Sequence, residues 1–362
     1  MRAVVVQPLQ AGSVRLAEVP PPVLQRGQAL VRVLEVGIDG TDRDISMGEY
    51  GEAPPGRPTL VMAHESVGIV ERVAEDVSAV APGDLVVATV RRPCAERCPN
   101  CAAGEFDHCV TGHYLERGIK GLDGYASECY AEDPAYLIGV PSSLRSVAVL
   151  LEPLSVAEKA LREAFAIQAR MVWQPGLSVV AGAGSLGLLV AMALRLRGVE
   201  VVMIDLLPED HPKARRAVEL GARYVDGRTT GLSTFRQRFG PIDLVVEATG
   251  DSRTVFEGLP ILGNNGILVA LGLSTTARAL TIPADAINLE RVLENLTVVG
   301  CVNSHRRDFE QGLVDMGRAQ ERFPGWLERL ISRRVRLDEV AHALERRPDE
   351  IKVVLTISVG AP

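Results

Sequence analysis

Lysine is nearly missing from this chain. Of 39 basic residues only four are lysine, at positions 120, 159, 213 and 352, and arginine supplies the remainder. Against 46 acidic residues this leaves a formal net charge of −7 and an isoelectric point near 5.5. No basic face is on offer to nucleic acid or to an anionic bilayer, and neither is expected as a partner. The preference for arginine reads as genome composition with a thermophilic lean and carries little chemistry. Nor is a secretory leader expected: the apolar run in MRAVVVQPLQ is too short for a signal-peptide core, so a cytoplasmic location is expected. The stretch from Met171 to Leu194 lacks any charge and is long enough to cross a bilayer. Pro175, Gly176, Gly182, Gly184 and Gly187 interrupt it, so it is expected to be strand, turn and helix in a buried core. Neither internal repeats nor low-complexity tracts are visible.

What the chain does contain is ordinary globular composition, 47% hydrophobic and 23% charged, over 362 residues, a length that suits two domains. Up to about Pro141 short Val-rich strands such as QALVRVLEVG, ESVGIVERVA and GDLVVATV are separated by Gly and Pro. They predict a compact, partly barrel-like antiparallel β domain. From about Leu151 strands and helices alternate, and PIDLVVEATG and NGILVALGL are continuous apolar strands of a sheet covered on both faces. That rhythm predicts an α/β domain with a doubly wound parallel sheet. The tail returns to helices and ends on IKVVLTISV, a strand expected to rejoin the β domain. The expected division is 1–155 with 306–362 for the β domain and 156–305 for the nucleotide-binding domain.

Gly182, Gly184 and Gly187 spell G-x-G-x-x-G after a strand, with Ser185 and Leu186 inside the motif. The first glycine allows a tight turn, the second lets a pyrophosphate approach the backbone, and the third lets helix and strand pack closely. The helix N-terminus adds free N–H groups. Asp205 follows 18 residues after Gly187, where a carboxylate accepts from a ribose 2′-OH. A glycine-rich structural turn is one rival; a methyltransferase-type loop, usually G-x-G-x-G, is another. Leu206 and Leu207 supply no arginine for a 2′-phosphate, so NAD is expected, with NADP as the other candidate.

Six cysteines without an export signal should be reduced. Cys129 and Cys301 stand apart and read as buried side chains. Cys94, Cys98, Cys101 and Cys109, spaced x3, x2 and x7, can wrap one Zn²⁺ as a closed tetrahedron in a lobe of about residues 91–112. Such a site is a structural staple with no open position. An iron–sulfur centre, which would be coloured, and reactive or disulfide-forming thiols are the alternatives.

In GIDGTD, Asp39 lies between Gly37 and Gly40, ahead of Thr41 and Asp42, which on bare chemistry is a turn. His64 and Glu65 head another strand, and Glu152 falls at the hand-over between the domains. Singly, each has an ordinary explanation as a core histidine, a strand acid or a helix entry.

Together with the cysteines and AGAGSLG, these motifs resemble the zinc-dependent medium-chain dehydrogenases over essentially the whole chain. GIDGTD stands against that family's G-x-C-G-[ST]-D, and HESVG against its G-H-E-x-x-G. RRPC, ERGIKGLDGYASE, EPLSVAEKA and GCVNSHRRDFE are most similar to its archaeal-type glucose 1-dehydrogenase branch. The resemblance implies a GroES-like catalytic β domain joined to a Rossmann domain. It also implies a catalytic zinc held by Asp39, in place of the usual Cys, with His64 and Glu152, and Glu65 as an alternating ligand. A carboxylate for thiolate hardens the site and should admit Mn²⁺ or Co²⁺ more readily. Thr41 is implied as proton relay. Thr89, Glu116, Glu152 and Asn303 are implied as sugar contacts, with His305 also considered. Leu271, Gly272, Leu273, Cys301, Val302 and Asn303 are expected along the nicotinamide half, and Lys352 near a phosphate. The implied reaction is oxidation of an aldose to its lactone, in a homodimer or homotetramer. A polyol, secondary-alcohol or amino-alcohol dehydrogenase is the nearest alternative, and a non-catalytic, zinc-stapled nucleotide-binding protein is the alternative of another class.

Overall fold

The computed structural model describes residues 1–274 and 278–358. They fall into two compact units. The first comprises Met1–Ser155, Asn303–Gly317 and the chain from Leu327 to the C-terminal strand; the second comprises Val156–Val302 and Arg318–Trp326.

In the first unit one sheet has seven strands, centred on Ala29–Ile38. Apolar side chains occupy most of that strand and both of its edges are covered, so nearly all of it is buried. One edge pairs antiparallel with Glu65–Val73 along its whole length. The other is shared, by Cys129–Glu132 at residues 29–32 and by Lys352–Thr356 at residues 35–38. The chain's last strand therefore closes onto its N-terminal sheet. Beyond Glu65–Val73 come Leu85–Ala88 and Leu137–Gly139, and beyond Lys352–Thr356 comes the parallel strand Ile331–Arg336. Val31, Val33, Val36, Val70, Val86, Tyr125, Val353 and Leu355 fill the core. The register sets Gly37 opposite Glu65 and Ile38 opposite Val353. The end of the central strand and the beginnings of both its neighbours thus lie side by side.

The second unit holds six strands, all parallel, ordered Arg223–Asp226, Glu200–Asp205, Leu177–Ala181, Ile242–Glu247, Leu262–Ala270 and Thr297–Gly300. In chain order this is 3-2-1-4-5-6, the doubly wound dinucleotide-binding arrangement. The charge-free stretch holds strand Leu177–Ala181, a glycine turn and all but the last two residues of helix Ser185–Leu196, most of whose residues are buried. No helix among the described residues is long and apolar enough to cross a membrane. Residues 318–326, expected with the tail of the β domain, group with the second unit. There Arg318 donates to the Leu196 carbonyl at 2.8 Å and the Trp326 indole to the Arg216 carbonyl at 2.9 Å.

Candidate metal centre and dinucleotide site

Asp39 follows the central strand and is the N-cap of the helix Gly40–Ser46. Its Oδ1 accepts from the Asp42 amide at 3.0 Å, and Asp42 Oδ2 accepts in return from the Asp39 amide at 3.2 Å. This reciprocal capping box satisfies two helix-end donors and leaves Asp39 Oδ2 for another task. That oxygen lies 3.7 Å from His64 Nε2. His64 follows Ala63, which has φ 65, a left-handed conformation uncommon outside glycine. The surroundings hold Ala63 there: its carbonyl accepts from the Tyr125 amide at 2.8 Å. Glu65 comes next, opposite Gly37. A Cβ built on Gly37 would stand 1.7 Å from Glu65 Oε2, so the absence of a side chain at 37 makes room for the carboxylate. Both oxygens of Glu65 accept from Lys352 Nζ, at 2.6 and 2.7 Å. Lys352, expected near a phosphate, is instead fully buried at the head of its strand, because the sheet register delivers it to Glu65.

The charges of this cluster act on one another. Burial would lower the pKa of His64, but the carboxylates of Asp39, Glu152, Asp42 and Glu65 outweigh it and lift the imidazole to about 9. Burial, opposed by His64 and helped by Glu65 and Asp39, pushes Glu152 up to about 8. Burial and the neighbouring Asp39 raise Asp42 to about 7. Burial also works against ionised Asp39, yet His64 and Lys352 hold it below the ordinary carboxylate value. Four carboxyl groups around one imidazole and one ammonium are an anion-rich, desolvated nest, which a divalent cation would neutralise.

The donors fit such an ion. Ligand atoms about 2.0–2.1 Å from Zn²⁺ in a tetrahedron lie roughly 3.4 Å apart. Asp39, His64 and Glu65 each offer an atom within 4.8 Å of the others, and the Asp39–His64 pair stands at 3.7 Å. Glu152, in the first turn of the helix Leu151–Gln168, is outside this tight trio but close enough to be the second-strongest carboxylate acting on His64. His64 Nδ1 and Asp42 Oδ1 are buried without a hydrogen-bond partner among the described residues. Orphaned polar atoms of that kind point to a group completing the set. Thr41 is half-buried in the same helix as Asp42.

Glu116 and Asn303 are brought together: Asn303 Nδ2 donates to Glu116 Oε1 at 2.9 Å. The Ser304 and Ser155 hydroxyls meet at 2.7 Å, and Ser155 donates to the Glu152 carbonyl at 2.6 Å. This links the Asn303 segment to the turn that carries Glu152. Thr89 goes elsewhere; its hydroxyl and carbonyl accept from Arg92 at 3.3 and 3.1 Å. His305 stacks on Phe106 and its Nε2 meets the Gly104 carbonyl at 3.1 Å, so it faces the cysteine lobe.

In that lobe the four sulfurs lie within 4.8 Å of one another, with Cys98 and Cys109 at 3.9 Å. Thiolates about 2.3 Å from Zn²⁺ would stand roughly 3.8 Å apart. The extra residue in the x3 spacing is absorbed at Arg97, which turns with φ 52. Burial raises the Cys109 thiol, but the Thr111 hydroxyl and amide outweigh it and bring it down to about 6.

In the second unit Gly182 has φ 104, and a Cβ on Gly187 would stand 2.0 Å from the Gly182 carbonyl oxygen. Nothing lies within 4 Å of a Cβ on Gly184, the N-cap of the helix beginning at Ser185 and Leu186. The turn is thus tight at its first glycine, open at its second and closely packed at its third. Asp205 ends its strand and Oδ2 accepts from the Ala183 amide at 2.6 Å. Leu271 and Gly272 donate to the Glu247 carbonyl at 2.9 and 3.3 Å. Leu273 and Val302 are exposed, and Cys301 is buried. All of these follow the C-terminal ends of parallel strands, where doubly wound sheets bind ligands.

Sequence reasoning missed roles for Asp42 and Gly37. Asp42 had a signal, its capping-box distance from Asp39. Gly37 had none, because its partner Glu65 comes from another strand.

A family model described as Alcohol dehydrogenase GroES-like domain matches residues 25–142, and one described as Glucose dehydrogenase C-terminus matches residues 145–357. Glucose 1-dehydrogenase of Methanocella arvoryzae is 43% identical over 99% of both chains. Glucose 1-dehydrogenase 1 of Caldivirga maquilingensis is 41% identical over 99% of both. Among solved structures, the Haloferax mediterranei glucose dehydrogenase in complex with NADP, Zn and gluconolactone is 33% identical. It superposes with a TM-score of 0.92, covering 99% of this chain and 100% of that one. A catalytic unit with a GroES-like segment, a doubly wound nucleotide unit and these full-length likenesses agree: the chain belongs to the glucose dehydrogenase family.

Proposed function

We propose that this chain is a zinc-dependent dehydrogenase. It oxidises an aldose, glucose or a close relative, at C1 to the lactone and passes the hydride to NAD or NADP. The observation that carries the reading is the convergence of Asp39, His64 and Glu65 at neighbouring strand ends, in a member of the glucose dehydrogenase family. Asp39, His64 and Glu152 would hold the catalytic zinc, with Glu65 alternating between the metal and Lys352. Cys94, Cys98, Cys101 and Cys109 would hold the structural one. Bound metal and nicotinamide would together supply the acidity of the C1 hydroxyl and the hydride acceptor. The protein's part is alignment and proton traffic. Thr41, two residues from Asp39, takes the hydroxyl proton outward as C1–H leaves with its electron pair and the C1 carbonyl forms. Glu116, Glu152 and Asn303 meet the other hydroxyls; the similar Haloferax mediterranei glucose dehydrogenase was solved in complex with gluconolactone.

Gly182, Gly184, Ser185, Leu186 and Gly187 cradle the pyrophosphate, and Asp205 takes the ribose. Leu271 to Leu273, Cys301, Val302 and Asn303 line the nicotinamide. The outermost strand Thr297–Gly300, with exposed Leu289, Val292 and Leu293 nearby in sequence and exposed Val298 within it, has an edge unpaired among the described residues and offers it to a second copy. A homodimer, or a tetramer of such dimers, is the proposed assembly, and a solution mass of one chain would overturn it. A reducing compartment, the cytoplasm, suits a chain that needs four thiolates.

The test is reduction of NAD⁺ and NADP⁺ by a panel of aldoses, polyols and simple alcohols, before and after chelation. Chelator-sensitive turnover of an aldose is expected. Turnover of polyols or alcohols alone would replace the substrate, and no turnover despite dinucleotide binding would favour a non-catalytic protein.

A further inference from the structure

We propose that Arg91 is a positioning residue that sets the Glu116 carboxylate for the sugar and ties it to the cysteine lobe. The inference rests on the reading of Glu116 as a sugar contact.

Arg91 and Glu116 face each other on the short strands Arg91–Arg92 and Leu115–Arg117, and both are buried. A guanidinium that simply neutralises a carboxylate takes the fork geometry, one N–H to each oxygen. Here Nε and Nη2 both donate to Oε1, at 3.0 and 2.9 Å. Asn303 Nδ2 adds a third donor to the same oxygen at 2.9 Å. Among the described residues none donates to Oε2. A carboxylate with one oxygen saturated is fixed in rotation and presents the other as an acceptor. A sugar hydroxyl is the donor that such an oxygen suits.

What aims Arg91 is the lobe. Its Nη1 donates to the Asp107 carbonyl at 3.1 Å, in the turn Phe106–His108 immediately before Cys109. The Tyr114 ring lies 3.7 Å from the guanidinium carbon and holds its plane. Asn303 is tethered to the same lobe two residues further on, through His305 on Phe106 and the Gly104 carbonyl. Arg307 adds a pair of hydrogen bonds to Glu105, at 2.9 and 2.5 Å. Both side chains that hold Oε1 are therefore referenced to the fold of the cysteine lobe, and a feature read as a stability device also sets the pocket.

The experiment compares Arg91→Lys, Cys109→Ser, their double variant and Glu116→Gln. It measures kcat and KM for glucose, glucose affinity by calorimetry, and NAD⁺ affinity. Lysine keeps the charge but cannot span Asp107 and Glu116 at once. Arg91→Lys is expected to raise KM for glucose, and weaken calorimetric affinity, by about tenfold while kcat and NAD⁺ affinity stay near those of the parent. Cys109→Ser, which loosens the lobe, should also raise KM for glucose, and the double variant should lose much less glucose affinity than the product of the two. Parental glucose KM in Arg91→Lys, or a matching loss of NAD⁺ affinity that marks general damage, would overturn the proposal. A multiplicative double variant would overturn the link to the lobe. If Glu116→Gln itself leaves glucose KM unchanged, it is the reading of Glu116 that fails.

Discussion

Lys352 lays its ammonium across both carboxylate oxygens of Glu65, at 2.6 and 2.7 Å, with each side chain only 1% exposed. Two charges so far from water tolerate each other's presence but not each other's loss. Removing one partner of a buried pair costs about 3–5 kcal/mol, because the other charge is left uncompensated. Lys352→Met should destabilise the protein by that amount in denaturant titration, and the double variant Lys352→Met/Glu65→Gln should recover part of it. An unchanged single variant would mean that the pair is not closed in solution.

Gly37→Ala is expected to disturb the same pair from the opposite side. Its Cβ would meet Glu65 Oε2 at 1.7 Å, within a ladder that cannot move away. Overpacking of this kind costs about 1–3 kcal/mol. Metal affinity should fall with stability, and a variant with parental metal affinity would show that Glu65 can lie elsewhere at no cost.

Asp39 has two tasks, one for each oxygen, and they are separable. Asparagine caps a helix about as well as aspartate. Asp39→Asn should therefore keep the helix cap and dinucleotide binding while losing metal and turnover. Asp39→Ala should lose activity and also about 1 kcal/mol of helix capping. Asp39→Cys should keep substantial activity, since a thiolate also ligates zinc. Full activity in Asp39→Ala would remove Asp39 from the metal site.

Stripped of metal, the protein should lose stability as pH rises. Asp42 and Glu152, pushed up first by burial to about 7 and about 8, hold protons more tightly when folded than when unfolded. So does His64, where the surrounding carboxylates overcome burial and lift it to about 9. Each contribution is complete below the group's ordinary value and is lost as pH climbs through the folded one. Asp39, held low against its burial by His64 and Lys352, has the opposite sign and loses its contribution only on acidification. The melting temperature of the chelated protein should decline from about pH 5 to about pH 9, and added zinc should flatten the profile. A flat profile without metal would show that these groups are hydrated.

NAD⁺ should be preferred to NADP⁺. Asp205 places a carboxylate at its strand end, and Leu206 and Leu207 follow in place of a cation. Arg228, on the neighbouring strand's exit, is already paired with Asp226 at 2.6 Å. A 2′-phosphate would meet the Asp205 charge, which should cost at least about tenfold in kcat/KM. Equal kcat/KM for the two cofactors would refute this preference.

Much of this molecule could be read before any coordinates. Continuous apolar strands alternating with helices announce a doubly wound sheet, because both faces of such a sheet are buried and its strands need no polar side. The glycines at 182, 184 and 187 and the four cysteines are legible as local patterns, whereas the residues at 39, 64, 65 and 152 gain a role only through the family resemblance of the motifs that carry them. The boundary at residues 318–326 was not legible, since an indole hydrogen bond from Trp326 to Arg216 leaves no mark in the sequence. Nor was the fate of Lys352, whose partner lies 287 residues away. Thr89 was named as a sugar contact, but its hydroxyl is taken by Arg92.

By itself, then, the sequence determined what short-range chemistry controls: the period of each element, the tight turns, the capping box at Asp39 and Asp42, and the kinds of donor available. The tertiary structure alone decided how those donors are used. Which oxygen of Asp39 faces His64, which oxygen of Glu116 is left open and which acid neutralises Lys352 all depend on register between strands distant in the chain. A slip of one residue in that register would turn every side chain to the other face of the sheet, and only the packed core selects one alignment.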